Sequence, residues 1–347
     1  MPGKRKGRVL LGAALASGLL VLAAGAAVAG LALSSRPAEG IPTGGALFAV
    51  KRGEGASAVA RGLESEGLLR SGAAFKLLAR LRGLDDSIKA GTYRLMPGMG
   101  ASEILELLAS GKQALVRVTL PEGYTLGQAG RLLEDFGIAK AADFAAACRD
   151  PALLAELGVA APSLEGYLFP DTYLFPVAYG AREAASAMVA NFREKLASIP
   201  EAASLSPKEL QERLVLASIV EREYRLPEEA PLMAGVFLNR LRIGMALQSC
   251  ATVVYVMTER LGKPHPERLF DRDIAIEDPY NSYIHRGLPP GPISNPGMTA
   301  LLAALRPASS KYLYFRLVDE ATGKHHFSAT LEEHVGARSL FVKRVGG

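Results

Sequence analysis

No charged residue occurs between Val9 and Ser35, and Lys4, Arg5, Lys6 and Arg8 stand directly before that stretch. It is mostly Leu, Ala, Val and Gly. Its roughly 25 residues are enough, at about 1.5 Å each, to cross a hydrocarbon core of about 30 Å. A cleaved signal peptide would carry an apolar region of only about 7–15 residues. "AVAG" near Ala27 offers a tolerable cleavage site, but the length favours a retained anchor. Basic flanks stay on the cytoplasmic side. The expectation is a basic cytoplasmic tail over 1–8, a transmembrane helix over 9–35 and a linker over 36–45. Everything beyond is expected on the outer face of the membrane, and no second span of comparable length follows.

The 347 residues exceed the roughly 100–200 of one folded unit, and 49% are hydrophobic against 22% charged, so more than one core can form. The net charge of +5 fits an anionic partner such as a membrane surface or an acidic polymer. No Lys/Arg block suggests a nucleic-acid groove. Cys148 and Cys250 lack zinc-type spacing and read as two separate buried thiols, with a single disulfide open outside the cytoplasm. His325, His326 and His334 have no recognised ligand spacing, so neither a metal nor a cofactor is expected.

Residues 46–120 read as a small α+β unit. "ALFAVKRGEG" is a strand ending in a turn, and "ASAVARGLESEGLL" an amphipathic helix through Val59, Leu63 and Leu68. "SGAAFKLLARLRG" is a helix capped by Ser71 and stopped by Gly83. "KAGTYRLMPGMG" is a strand with a Pro-Gly turn. "ASEILELLASGK" is a helix opened by Ser102 and closed by Gly111. "ALVRVTLPEG" alternates as a strand does. Residues 121–347 read as a larger mixed α+β body. Helices are expected over about 181–199, 206–224, 227–243 and 330–343, with a hairpin at Thr322-Gly323. "SLEGYLFPDTYLFP" (163–176) cannot be a regular helix through Pro170 and Pro176. "YNSYIHRGLPPGPISNPG" (280–297) reads as a stiff loop, its prolines restricting the unfolded chain.

Chemistry concentrates in "ERLVLASIVEREY" (212–224), where an apolar run broken only by Ser218 ends on Glu221. A carboxyl group against a dry helical wall loses hydration, and its pKa rises above about 4.3. Such a glutamate can give a proton to a glycosidic oxygen and take one back. The bland alternative is a surface residue paired with Arg222 or Arg225. Asn239 and Gln248 carry amides suited to the acetamido and hydroxyl groups of an amino sugar. Tyr280, Asn281 and Tyr283 supply aromatic faces on a rigid loop. Glu165, in the aromatic "LEGY" segment, could reach a cleft, with loop fixing as its alternative role.

"LASIVEREY", "VFLNRLRIGMALQS", "PYNSYIHRGLPPGPISNPG" and "YLYFRLVDEATGKHHFSATLEEH" together resemble the YceG-like family of endolytic murein transglycosylases, from about residue 45 to the C-terminus. "LEGYLFPDTYLF" and "KAGTYRL…ILELLASGK" fit it too. The resemblance implies a single-span inner-membrane protein facing the cell wall. It would cut the β-1,4 bond between MurNAc and GlcNAc, leave 1,6-anhydro-MurNAc ends and terminate growing strands. It implies a LysM-like small unit, Glu221 as the catalytic residue, and peptidoglycan strands and peptidoglycan synthases as partners. Gln248, Asn239, Tyr280, Asn281, Tyr283 and Glu165 are then expected along the substrate groove. Many members read Asp-Pro where this chain has Cys250-Ala251, so a second carboxylate is absent there, and its task is either dispensable or passes to Glu165 or Glu223. The alternatives are a hydrolytic muramidase and an inactive glycan-binding scaffold.

Overall fold

The computed structural model describes residues 41–341. The expected basic tail, the expected membrane helix and residues 36–40 of the linker lie outside the described residues. Within them, no helix is long and apolar enough to cross a membrane. The architecture is mixed α+β, helices with small two-stranded sheets. It divides into two compact units between Leu115 and Val116.

In the first unit, β1 (Ala46–Val50) pairs antiparallel with β2 (Gly91–Leu95), placing Phe48 opposite Tyr93. Phe48 and Val50 point inward while Leu47 and Ala49 are exposed, the two-residue period of a half-buried strand. The helices are α1 (Ala56–Ser65), α2 (Gly72–Leu81) and α3 (Ala101–Ser110). Val59, Leu63, Phe75, Ala79, Ile104, Leu105 and Leu108 close the core over the strands. The Ser71 hydroxyl accepts from Ala74 N at 3.3 Å, capping α2 as its sequence suggests. Helix α3 starts two residues earlier than Ser102 as its cap implies. Gly100 is its cap, and the Glu103 carboxylate accepts from Gly100 N at 2.8 Å. Gly111 ends α3 at φ +75°, a left-handed turn that glycine adopts without a Cβ clash.

In the second unit, β3 (Leu115–Thr119) pairs with β4 (Thr172–Pro176). Helices α4 (Leu126–Asp135), α5 (Ala141–Ala147), α6 (Pro151–Glu156) and α7 (Ala181–Ala197) follow in the chain. The centre is α8 (Pro207–Glu221), with α9 (Ala230–Arg242) and, after the short helices α10 (Cys250–Tyr255) and α11 (Asp271–Ile274), α12 (Met298–Leu305) packed on it. Ser206 and Glu209 form a reciprocal capping box at the start of α8, with Pro207 in the first turn. From Leu214 to Val220 every residue of α8 is buried, Ser218 included, as in a helix covered all round. It ends at Glu221, three residues short of its sequence expectation. The predicted helix from 227 opens instead as a 3₁₀ turn, Pro227–Glu229.

A hairpin of β5 (Tyr314–Asp319) and β6 (Lys324–Ser328) turns through Thr322-Gly323. The chain then forms α13 (Leu331–Gly336) and a 3₁₀ turn, Ala337–Leu340. Residues 280–297 have no regular structure, yet Gly291 through Gly297 are all buried.

Candidate active site

Ser218 explains how that loop is held. Its hydroxyl donates to Val215 O at 2.8 Å and accepts from Ile293 N at 3.0 Å, and the Ser294 hydroxyl donates to Ser218 O at 3.1 Å. The loop therefore docks on the last turns of α8. Asn295 binds it to two further segments. Its Oδ1 accepts from Gly166 N and Leu168 N, at 2.8 and 3.0 Å. Its Nδ2 donates to Tyr124 O and to Glu165 Oε1, at 2.9 and 3.3 Å. Backbone bonds from Asn295 N to Tyr124 O and from Gly123 N to Asn295 O complete the joint.

This joint delivers Gly297 N to Glu221, whose Oε2 accepts from it at 2.9 Å. Gly297 precedes α12, so the carboxylate sits at a helix N-terminus, where its charge is favoured. Burial is stronger and lifts the Glu221 carboxyl to about 7. The Gly297 N–H draws it down, the charge of Glu122 pushes it up, and Arg222 and the Tyr224 hydrogen bond draw it down again. Burial and then the Glu221 charge raise the Tyr224 phenol to about 12, and it also hydrogen-bonds Thr299. Arg222 donates to Gly123 O at 3.1 Å, fastening the turn after Glu221 to the 121–124 turn.

Two hollows flank this turn. One, of about 480 Å³, is lined by residues that include Arg131, Arg222, Ala251, Tyr255, Glu259 and Lys263. The other, of about 340 Å³, is lined by residues that include Glu223, Gln248, Cys250, Tyr283 and His334. Consecutive residues, Arg222 with Glu223 and Ala251 with Cys250, face one hollow each, so the hollows open on either side of the chain leaving Glu221. A π-helical turn, Val256–Arg260, follows α10 and places Glu259 in the larger one.

Among the residues picked out from the sequence, Gln248 is exposed at the smaller hollow with φ +49°. That conformation is costly for a side chain with a Cβ and is held by Gln248 N donating to Ser282 O at 3.0 Å. Tyr283 lines the same hollow, its hydroxyl 3.1 Å from Cys250 Sγ. Tyr280 packs on Tyr255, 5.2 Å between ring centres, with the Arg260 guanidinium 5.0 Å from its own ring centre.

Glu165 is buried. It accepts from Leu126 N at 2.8 Å and from the Tyr255 hydroxyl at 3.4 Å. Burial raises its carboxyl to about 8, countered by the Leu126 N–H. It caps α4 and fixes its loop, beneath the larger hollow. Asn239 and Asn281 need correction as sugar contacts, because their amide donors are taken. Asn239 Nδ2 donates to Ser310 O and Tyr312 O, both at 2.9 Å. Asn281 Nδ2 donates to Ile274 O and Ile276 O, at 2.9 and 2.8 Å. Both residues anchor loops.

Sequence reasoning missed Tyr224, Asn295, Gly297, Glu122 and Glu259. Only the turn-forming "SNPG" and "PEG" runs hinted at three of them. Glu223 is half-buried at the smaller hollow; desolvation raises its pKa, and it accepts a short hydrogen bond from the Ser249 hydroxyl. Cys148 is buried, Cys250 is exposed, and both are free. Among the described residues no cluster of three or more His, Cys, Asp or Glu side chains could hold a metal ion. His325 pairs with Glu229, Nδ1 to Oε2 at 2.7 Å.

The geometry describes a carboxyl group lifted by burial, followed in the chain by Arg222 and Glu223, which line one hollow each, on a mixed α+β frame. The model of the YceG-like family matches residues 48–339, and the chain belongs to that family. It is 32% identical over 317 residues to an endolytic murein transglycosylase of Streptococcus pneumoniae serotype 2 (strain D39), covering 82% of this chain and 56% of that protein. It is 30% identical over 309 residues to the endolytic murein transglycosylase of Bacillus subtilis (strain 168), covering 84% of each. This chain thus spans little more than half the length of its streptococcal relative. A crystal structure of a yceG-like protein from Listeria monocytogenes superposes with a TM-score of 0.54 at 30% identity, covering 85% of this chain and 99% of that one.

Proposed function

We propose that this chain is an endolytic murein transglycosylase that cuts the β-1,4 bond between MurNAc and GlcNAc in uncrosslinked peptidoglycan strands. The observation that carries the reading is Glu221, a carboxyl group that burial lifts to about 7 and that is followed in the chain by Arg222 and Glu223, which line one hollow each. At about pH 7 its two forms are comparably populated, which suits a group that must give a proton and then accept one. Glu221 protonates the leaving glycosidic oxygen as the bond to the anomeric carbon breaks. The C6 hydroxyl of the same MurNAc attacks that carbon and gives its proton to Glu221. A 1,6-anhydro ring closes, and no water is consumed. Gln248 and Tyr283 bound the strand on one side, Arg222 and Tyr255 on the other.

The same reading makes residues 9–35 a membrane anchor, with the basic tail inside and the body facing the cell wall. The first unit is then a LysM-like module on the glycan side. Cutting would terminate strands made by peptidoglycan synthases. The names of the relatives, which match over most of this chain, support the cutting activity.

Incubation of the full chain with uncrosslinked strands, followed by mass spectrometry of the products, tests the proposal. Anhydro ends are expected, and unchanged strands overturn it. Reducing ends would favour a hydrolytic muramidase. Glu122, a second carboxylate beside Glu221, is the feature that reading would use.

A further inference from the structure

The turn that precedes α4 brings another carboxylate to the site. A Cβ built on Gly297 would fall 1.9 Å from Glu122 Oε1 and 2.2 Å from its Cδ. The backbone of Gly297 is extended and ordinary, φ −79°, so what its missing side chain provides is the room that the Glu122 side chain occupies. Glu122 occupies one side of Gly297 while Glu221 takes its N–H at 2.9 Å. From these contacts and standard bond lengths, the two carboxylates lie no more than about 8 Å apart. Glu122 is exposed, whereas Glu221 is largely enclosed.

We propose that Glu122 is a positioning residue for the transglycosylase reaction, whose negative charge across Gly297 keeps the proton on Glu221 until substrate arrives. This rests on Glu221 being the acid. The groups facing Glu221 are Gly297 N–H at the start of α12, Arg222 and Tyr224 on the turn beyond α8, and Glu122 from the turn before α4. Of these, Glu122 alone opposes ionisation by its charge. The Gly297 N–H, Arg222 and the Tyr224 hydrogen bond all favour the anion, so removing Glu122 leaves nothing charged to balance them. A proton lost early would leave the leaving oxygen without its acid.

The experiment is the pH profile of kcat/KM for strand cutting by the full chain. The wild-type profile descends above about pH 7 as the acid form is lost. In Glu122→Gln the descending limb should move to lower pH by roughly 0.5–1.5, the effect of one charge about 8 Å away at an effective dielectric between that of water and that of a protein surface. The variant keeps anhydro ends and its activity at low pH. Gly297→Ala should move the limb the same way, because its methyl group displaces the free end of the Glu122 side chain. Raising the salt concentration should move the wild-type limb to lower pH, since the exposed Glu122 charge is screened, and should move the variant's limb the other way, since there only the exposed Arg222 charge is left to screen. An unmoved limb in Glu122→Gln, or an equal loss at every pH, overturns the assignment. Persistent cutting by Glu221→Gln would instead overturn the reading of Glu221 itself.

Discussion

Asn295→Ala removes one side chain and four hydrogen bonds. The side chain is fully buried, and its carbonyl is the acceptor for Gly166 N and Leu168 N. Those two amides would lose their partner inside the protein, at about 1–3 kcal/mol each, or about 2–6 kcal/mol together. Tyr124 O keeps its bond to the backbone of residue 295, and Glu165 keeps Leu126 N, so the loss stops there. Asn295→Asp separates donors from acceptors in the same shape. It still serves both amides, but the atom replacing Nδ2 faces Tyr124 O and the Glu165 carboxyl. A carboxyl buried there has a folded pKa above its unfolded value of about 3.9. Its stability is therefore complete below pH 3.9 and is lost as pH rises through the folded pKa. Urea unfolding followed by near-ultraviolet circular dichroism measures both variants. Asn295→Ala should lower the unfolding free energy by at least 2 kcal/mol at pH 7, and the deficit of Asn295→Asp should widen from pH 4 to pH 8. A loss under about 1 kcal/mol for alanine, or a pH-independent deficit for aspartate, refutes the account of this joint.

Glu221→Gln should reduce strand cutting by at least about 100-fold, a lower figure for loss of a general acid, with unchanged circular dichroism; near-wild-type turnover would remove Glu221 from the mechanism. Glu165 has a folded pKa of about 8 against about 4.5 unfolded, so wild-type stability is complete below pH 4.5 and declines as pH rises toward 8. Glu165→Gln, which stays neutral, should flatten that decline in a series of urea midpoints, and an unchanged slope would argue against it. Gln248→Gly relieves a left-handed backbone and should raise stability by about 1 kcal/mol while slowing cutting, read by urea midpoint and by product mass spectrometry respectively.

Local chemistry was the legible part of the fold. Ser71, Ser206 with Glu209, and Gly111 end their helices through partners within four residues, so their roles follow from spacing alone. Glu103 capping Gly100 is equally local, and the choice of Ser102 overlooked a carboxylate three residues from the competing start. The amides of Asn239 and Asn281 were recognisable as polar groups in apolar surroundings, but their partners were not. The carbonyl of Ser310 lies 71 positions from Asn239. A side chain free to meet a sugar and one bound to a distant backbone look alike in sequence.

By itself, the sequence determined that an acidic side chain would end an apolar helix and lose water there, because a run from Leu214 to Val220 is covered whatever covers it. Tertiary structure alone decided what that side chain meets: the Gly297 N–H, 76 positions onward, and the Glu122 carboxylate from the turn before α4. Desolvation follows from composition within one helix, whereas the hydrogen bond and the charge that oppose each other at Glu221 depend on distances that exist only once remote segments have packed.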